Sequence, residues 1–163
     1  MLLISLIFGF NYTISGVEFS INKEKYERVE KWDTIPDVIV CNDSNFSLHY
    51  VKKAIEIWKK EGERFGKIYV EDNLNKCTNT HKKGFIQIKG DRNNFDKSKF
   101  DSMTFVEWYE KKYLFQKSEK IIQGVSIETT QGLDDDIELI VHELGHALGF
   151  DHSDILGDVM CSQ

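Results

Sequence analysis

Proline is nearly absent from this chain: Pro36 is the only one in 163 residues, so glycine, asparagine and aspartate must mark the loops. Cysteine is scarce as well. Cys41, Cys77 and Cys161 form no CxxC pair, which argues against a thiolate zinc site. No apolar run reaches the roughly 18–20 residues that span a bilayer, so no stable membrane anchor is expected. Positive charge is in the minority, 21 Lys and Arg against 27 Asp and Glu, and it forms no block or stripe. A chain of net charge -6 repels a phosphate backbone, so a nucleic-acid partner is not expected. Repeats and low-complexity segments are missing too. What is present is 40% apolar and 29% well-mixed charged residues, enough for one domain around a single core.

The first ten residues, "MLLISLIFGF", have the length and apolarity of a signal-peptide h-region, with the small residues Ser15 and Gly16 following. No Lys or Arg precedes the run. The stretch is read as a secretory signal over 1–16, with a single domain over 17–163; the rival reading is a buried first strand. Cys41 ends one strand-like run and Cys77 follows another, so neighbouring strands could bring them within disulfide range in an oxidising compartment. Two buried thiols are the alternative.

"DVIVC" (37–41) reads as a buried strand, and "NDSN" supplies cap-forming side chains. Leu48, Val51, Ala54, Ile55 and Trp58 mark one face of a helix from Leu48 to about Lys60, with Gly62 as its stop. His49 falls off that face, and His81 has no partner pattern; both are taken as surface residues. Residues 65–71, 84–90 and 120–129 alternate as strands, and Gly124 suggests a bulge or a close backbone approach. "FVEWYEKKYLF" (105–115) is read as a short helix or an irregular loop. Its aromatics either pack locally or form a substrate-contacting lip. A last helix is expected from about Asp134 to Leu148. Its first acidic residues, Asp134 to Asp136, suit the positive end of the helix dipole. Calcium is the rival use of that acidic run, but no EF-hand pattern surrounds it, so calcium is not indicated. The resulting order is strand, helix, three strands, helix: an α+β arrangement.

Three of the five histidines stand in "VHELGHALGFDH" (141–152). His142 and His146, four apart on a helix, lie one turn above each other with Cβ atoms about 5–6 Å apart, so both can reach one ion. Gly149 can adopt the positive φ that ends a helix and turn the chain to bring in His152. Three imidazoles suit Zn²⁺ rather than calcium or magnesium, and they leave a fourth position for water. Glu143, turned off the ligand direction, can take a proton from that water, whose pKa zinc lowers toward roughly 7, and pass it to a leaving amine. At this composition H-E-x-x-H-x-x-G-x-x-H arises by chance with a probability on the order of 10⁻⁵.

"HELGHALGFDH" resembles the zinc-binding motif of the metzincin metalloproteases. Met160, eight residues after His152, is similar in spacing to the methionine turn of the matrixin branch. The resemblance implies one catalytic Zn²⁺ held by His142, His146 and His152, Glu143 as catalytic acid/base, and Met160 as the apolar floor; taken alone, Met160 could be an ordinary core residue. It further implies a metzincin-like zincin fold: a twisted, four- to five-stranded mixed sheet with an antiparallel edge strand, crossed by two long helices. In that fold an edge strand binds substrate as an added strand. Here it is expected at Ile122, Gly124, Val125 and Ser126, with a plain structural edge as the alternative. The expected activity is a secreted, monomeric zinc endopeptidase acting on a peptide or protein. The alternatives are a zinc-containing binding protein without proteolysis and a zinc amidase acting on cell-wall peptides. The match departs from matrixins after Met160, where a wall of the specificity pocket usually follows. Residues 91–120 are the other candidate for that wall, and no zinc-blocking cysteine stands between 17 and 36.

Overall fold

The computed structural model describes residues 10–14, 16–72, 77, 81–90, 102–114, 117–130 and 136–161. Along the chain these form β1 (Phe10–Ile14), β2 (Val17–Ile21), β3 (Lys31–Trp32), β4 (Asp37–Cys41), α1 (Leu48–Lys60), β5 (Ile68–Glu71), β6 (Phe85–Gly90), β7 (Ser102–Lys111), β8 (Glu119–Thr129) and α2 (Ile137–Ala147). Strands β1 and β2 make an antiparallel hairpin of their own. The other six form one sheet, in the order β3-β8-β6-β4-β5, with β7 also paired to β8. Every pairing in it is parallel except that of β7 with β8. Among the described residues no helix is long and apolar enough to cross a membrane.

Period-two alternation sets the two faces of this sheet. Val38 and Val40 of β4 stand beside Ile86 and Ile88 of β6, which stand beside Val125 and Ile127 of β8. All six are buried and pack with α1 (Val51, Ala54, Ile55, Trp58) and α2 (Ile137, Ile140, Val141, Leu144) in one core. Burying each such side chain contributes roughly 1.5–3 kcal/mol relative to leaving it in water. Trp58 ties the two helices directly: its Nε1 donates to the Val141 carbonyl at 2.8 Å. Its ring also stacks on Phe150, with centroids 5.5 Å apart.

The opposite face holds a second, smaller cluster of Ile39, Cys41 and Cys77, and a buried ion pair. Lys89 and Glu128 are register partners on β6 and β8; Nζ lies 3.2 Å from Oε1, and neither side chain is exposed. Cys41 and Cys77 are joined as a disulfide, with Cα atoms 6.0 Å apart and a sequence separation of 36. Closing a loop of that length stabilises a domain by about 3–4 kcal/mol in the chain-entropy account. The expected result of Cys41→Ala/Cys77→Ala is a loss of that size in a urea titration. A midpoint equal to wild type would mean that the bond contributes nothing.

Both helices are capped by side chains, though not as expected: the α1 cap is Ser47 rather than a residue of "NDSN", and α2 starts at Ile137, so Asp136 precedes it instead of lying in its first turn. Ser47 accepts the Tyr50 amide at the start of α1, and Asp136 accepts the Leu139 amide at 2.9 Å at the start of α2. Asp134 and Asp135 lie outside the described residues. Gly62 takes the positive φ, 85°, that stops α1.

Three further expectations are corrected. The sheet has six strands, not four or five, because Lys31–Trp32 adds a short parallel strand beside β8 and residues 102–111 form another. Residues 105–111 of the segment belong to strand β7 rather than to a helix or loop: ten residues of β7 pair along β8, with a register shift at Glu107/Trp108. Its aromatic and β-branched residues suit a pleated surface better than a helix. Third, β8 is not an edge. Ile122, Gly124, Val125 and Ser126 lie between β7 on one side and β3 and β6 on the other, and all four are buried. The edge next to them is β7, which among the described residues pairs only with β8. The expected close approach at Gly124 is present: a Cβ there would lie 2.8 Å from the Lys82 carbonyl oxygen.

His49 is exposed as expected, whereas His81 is partly buried, its Nδ1 3.8 Å from the Glu107 carboxylate. Phe10–Ile14, within the expected leader, pair with β2, and Tyr12 stacks on Phe19 at 5.8 Å. Residues 1–9 and 15, and the 91–101 part of the expected pocket wall, lie outside the described residues.

Candidate metal centre

Helix α2 carries His142 and His146 on one side and Glu143 toward β7. Its geometry follows from the core: Ile137, Ile140, Val141 and Leu144 are buried against the sheet and α1, so positions 142 and 146 are turned outward together. The helix ends at Leu148, and Gly149 then adopts φ 90°. A Cβ at Gly149 would lie 2.0 Å from the Glu30 carbonyl oxygen, so the turn needs both the left-handed backbone and the missing side chain. The reversal delivers His152.

The three imidazoles converge. His146 Nε2 lies 3.0 Å from His142 Nε2 and 3.1 Å from His152 Nε2. Two of the rings have their other nitrogen committed. His142 Nδ1 donates to the Val159 carbonyl at 2.7 Å, and His146 Nδ1 donates to the Phe150 carbonyl at 2.9 Å. A carbonyl only accepts, so both Nδ1 atoms carry the proton in neutral rings and both Nε2 atoms present bare lone pairs. Two lone pairs at 3.0 Å repel each other unless a cation lies between them. Burial, then the neighbouring His142, lowers the proton affinity of His146, which keeps it in the form that binds a metal. These three histidines could hold a metal ion, and among the described residues they are the one such group.

Glu143 is buried, with 5% exposure. Its two carboxylate oxygens accept hydrogen bonds from different hydroxyls of β7: Oε1 from Ser102 and Oε2 from Thr104. Neither hydroxyl was expected from the sequence. The alternation of Ser102, Thr104 and Val106 could have placed them on one strand face, but nothing local says that this face lies over α2.

Met160 is fully buried beneath the same helix. A Cβ on Gly145 would stand 2.3 Å from Met160 Sδ and 2.9 Å from Trp58 Cζ2. Gly145→Ala is therefore an overpacking change expected to cost about 1–3 kcal/mol, read as a lower urea midpoint. A midpoint at or above wild type would mean that Met160 does not press on this helix.

The loop carrying Met160 is fastened by Asp158, a second group that the sequence did not reveal. Asp158 is 3% exposed. Its carboxylate accepts from the Tyr26 hydroxyl at 2.7 Å, the Asn22 amide at 3.0 Å, the Met160 amide at 2.8 Å and the Ser153 hydroxyl at 3.3 Å. Burial, and next the bond to Asp158, raises the Tyr26 phenol pKa, so it stays a donor. Val159, whose carbonyl orients His142, sits between two residues of this knot. The expected substrate residues on β8 do not join the centre as an open edge. A cleft of about 410 Å³ lined by Arg28, Trp32, Pro36 and Leu148, among others, contains none of the three histidines.

Comparison with protein-family models, curated proteins and solved structures finds no match for this chain.

Proposed function

We propose that this chain is a zinc-dependent endopeptidase of the metzincin type, similar in pattern to matrixins. The observation that carries the reading is the convergence of three imidazole Nε2 atoms, two of them with their protons held away on backbone carbonyls. Tetrahedral zinc with bonds of about 2.0–2.1 Å holds its nitrogens roughly 3.3–3.4 Å apart, so the His146–His142 and His146–His152 pairs need to open by only a few tenths of an ångström. An all-imidazole set favours zinc over calcium or magnesium. Three protein ligands leave a position for water.

Zinc, when bound, would act as a Lewis acid and bring the pKa of water toward about 7. The chain's own residues supply the rest. His142, His146 and His152 would hold the ion, and the Val159 and Phe150 carbonyls fix the orientation of two of those rings. Glu143 would accept a proton on a carboxylate oxygen and return it to the leaving amine. Met160 would close the floor beneath the centre. The outer side of β7, which has no strand partner among the described residues, would take an extended peptide as an added strand in place of β8.

The sheet order, its antiparallel β7 and the two packed helices are compatible with this assignment. The Cys41–Cys77 bond fits secretion. A monomer acting on a peptide or protein is the simplest working form.

The test is a peptide-library digest with and without a chelator, alongside elemental analysis. We expect about one zinc per chain and cleavage that stops on chelation and returns with zinc. Cleavage of peptidoglycan peptides alone would favour the amidase alternative, and no cleavage in either panel would remove the enzyme reading. His152→Ala should lose most of its zinc under mild chelation; full occupancy would place the third ligand elsewhere.

A further inference from the structure

We propose that Ser102 and Thr104 are positioning residues that set the direction of the Glu143 carboxylate. The inference rests on the peptidase reading and deepens it, since nothing in the H-E-x-x-H pattern calls for either hydroxyl. Ser102, Thr104 and Val106 are register partners of Thr129, Ile127 and Val125, and alternation puts all three on the helix side of the sheet. From there the two hydroxyls reach different oxygens of one carboxylate. A single bond would leave the carboxylate plane free to swivel; two bonds to two oxygens fix it. The Thr104 hydroxyl also lies 3.3 Å from the Glu143 carbonyl, so it is held close to the helix backbone as well.

Burial makes the arrangement necessary. A carboxylate with 5% exposure has lost most of its water and needs donors. Two hydroxyls occupy about half of its roughly four acceptor sites, which leaves acceptor capacity for a reacting water. The donors come from the first and third residues of β7, whose other side carries no strand partner among the described residues. The strand that would seat a peptide therefore also aims the proton carrier. This links peptide docking to Glu143 orientation through one rigid element.

The experiment uses full-length, zinc-loaded chain in four forms: wild type, Ser102→Ala/Thr104→Val, Thr104→Val and Thr104→Ser. Peptide hydrolysis gives kcat and KM, and elemental analysis gives zinc content. Misdirection of a reacting group costs up to about 100-fold, so kcat of the double variant should fall on the order of 100-fold and that of Thr104→Val about 10-fold. KM and zinc content should stay at wild-type values, and Thr104→Ser should recover most of the rate. Unfolding midpoints, read with and without chelator, add a substrate-free measure: Thr104→Val should lower the midpoint in wild type but not in a Glu143→Ala background.

Equal midpoint losses in both backgrounds would overturn the proposal. So would an unchanged kcat, or a Thr104→Ser variant as slow as Thr104→Val. A wild-type chain that cleaves nothing sinks the peptidase reading and the catalytic half of this proposal with it. The midpoint coupling still reports on the contact itself.

Discussion

Glu143→Ala is expected to retain about one zinc per chain and to lose peptide hydrolysis by about 10²–10⁴-fold, the usual range for a positioned acid/base. The geometry separates the two effects. The three ring nitrogens that would hold the ion belong to His142, His146 and His152, and two of these rings are oriented by backbone carbonyls rather than by Glu143. Losing the carboxylate therefore leaves the donor set in place. It also leaves the Ser102 and Thr104 hydroxyls without their acceptor, a local cost of about 1–3 kcal/mol. Zinc content and circular dichroism must accordingly be read beside turnover. A well-folded, zinc-replete variant with wild-type kcat would remove Glu143 from the chemistry. The result would also decide between enzyme and binding protein, because a carboxylate of purely structural use should change stability and leave no rate to lose.

The second large effect lies on the far face of the sheet. Lys89→Met should destabilise the domain, by up to about 3–5 kcal/mol, because it takes the Lys89 charge away from the fully buried Glu128 carboxylate. Replacing both partners, Lys89→Met with Glu128→Leu, should recover much of that loss, since two apolar side chains of similar size need no counter-charge. The sign follows from desolvation. A buried ion that loses a counter-charge is costlier than a matched pair. Urea titrations of the three proteins would show it. A single variant within about 0.5 kcal/mol of wild type, the range of ordinary surface changes, would mean that the pair is not buried as described. The site should feel this change only indirectly: Glu128 stands in β8 next to Ile127 and Thr129, the register partners of Thr104 and Ser102.

Some of this architecture was legible in the one-dimensional pattern and some was not. Helix α1 follows its apolar stripe residue for residue, Leu48 to Lys60, and β4 follows "DVIVC". Periodicity works there because each element buries one well-defined face. β7 escaped because "FVEWYEKKYLF" mixes aromatics with charges and its pairing with β8 is interrupted by a register shift at Glu107/Trp108. β3 escaped because two residues carry no period at all. The edge position was misplaced for a related reason. Apolar content marks β8 as a strand, but which neighbours flank it depends on crossovers that no local pattern encodes.

The sequence by itself determined the metal-ligand candidates, the turn that brings them together and the acid beside them. Helical spacing and the backbone freedom of Gly149 are local properties, carried within eleven residues. Only the tertiary structure decided what surrounds them: the carbonyls that aim His142 and His146, the β7 hydroxyls on Glu143, the Asp158 knot behind Met160 and the Lys89–Glu128 pair. Each of those contacts except the His146–Phe150 bond and the short links of Asp158 to Met160 and Ser153 joins segments far apart in the chain. Such contacts depend on how the sheet is ordered and how the helices pack on it, and no stretch of sequence specifies that alone.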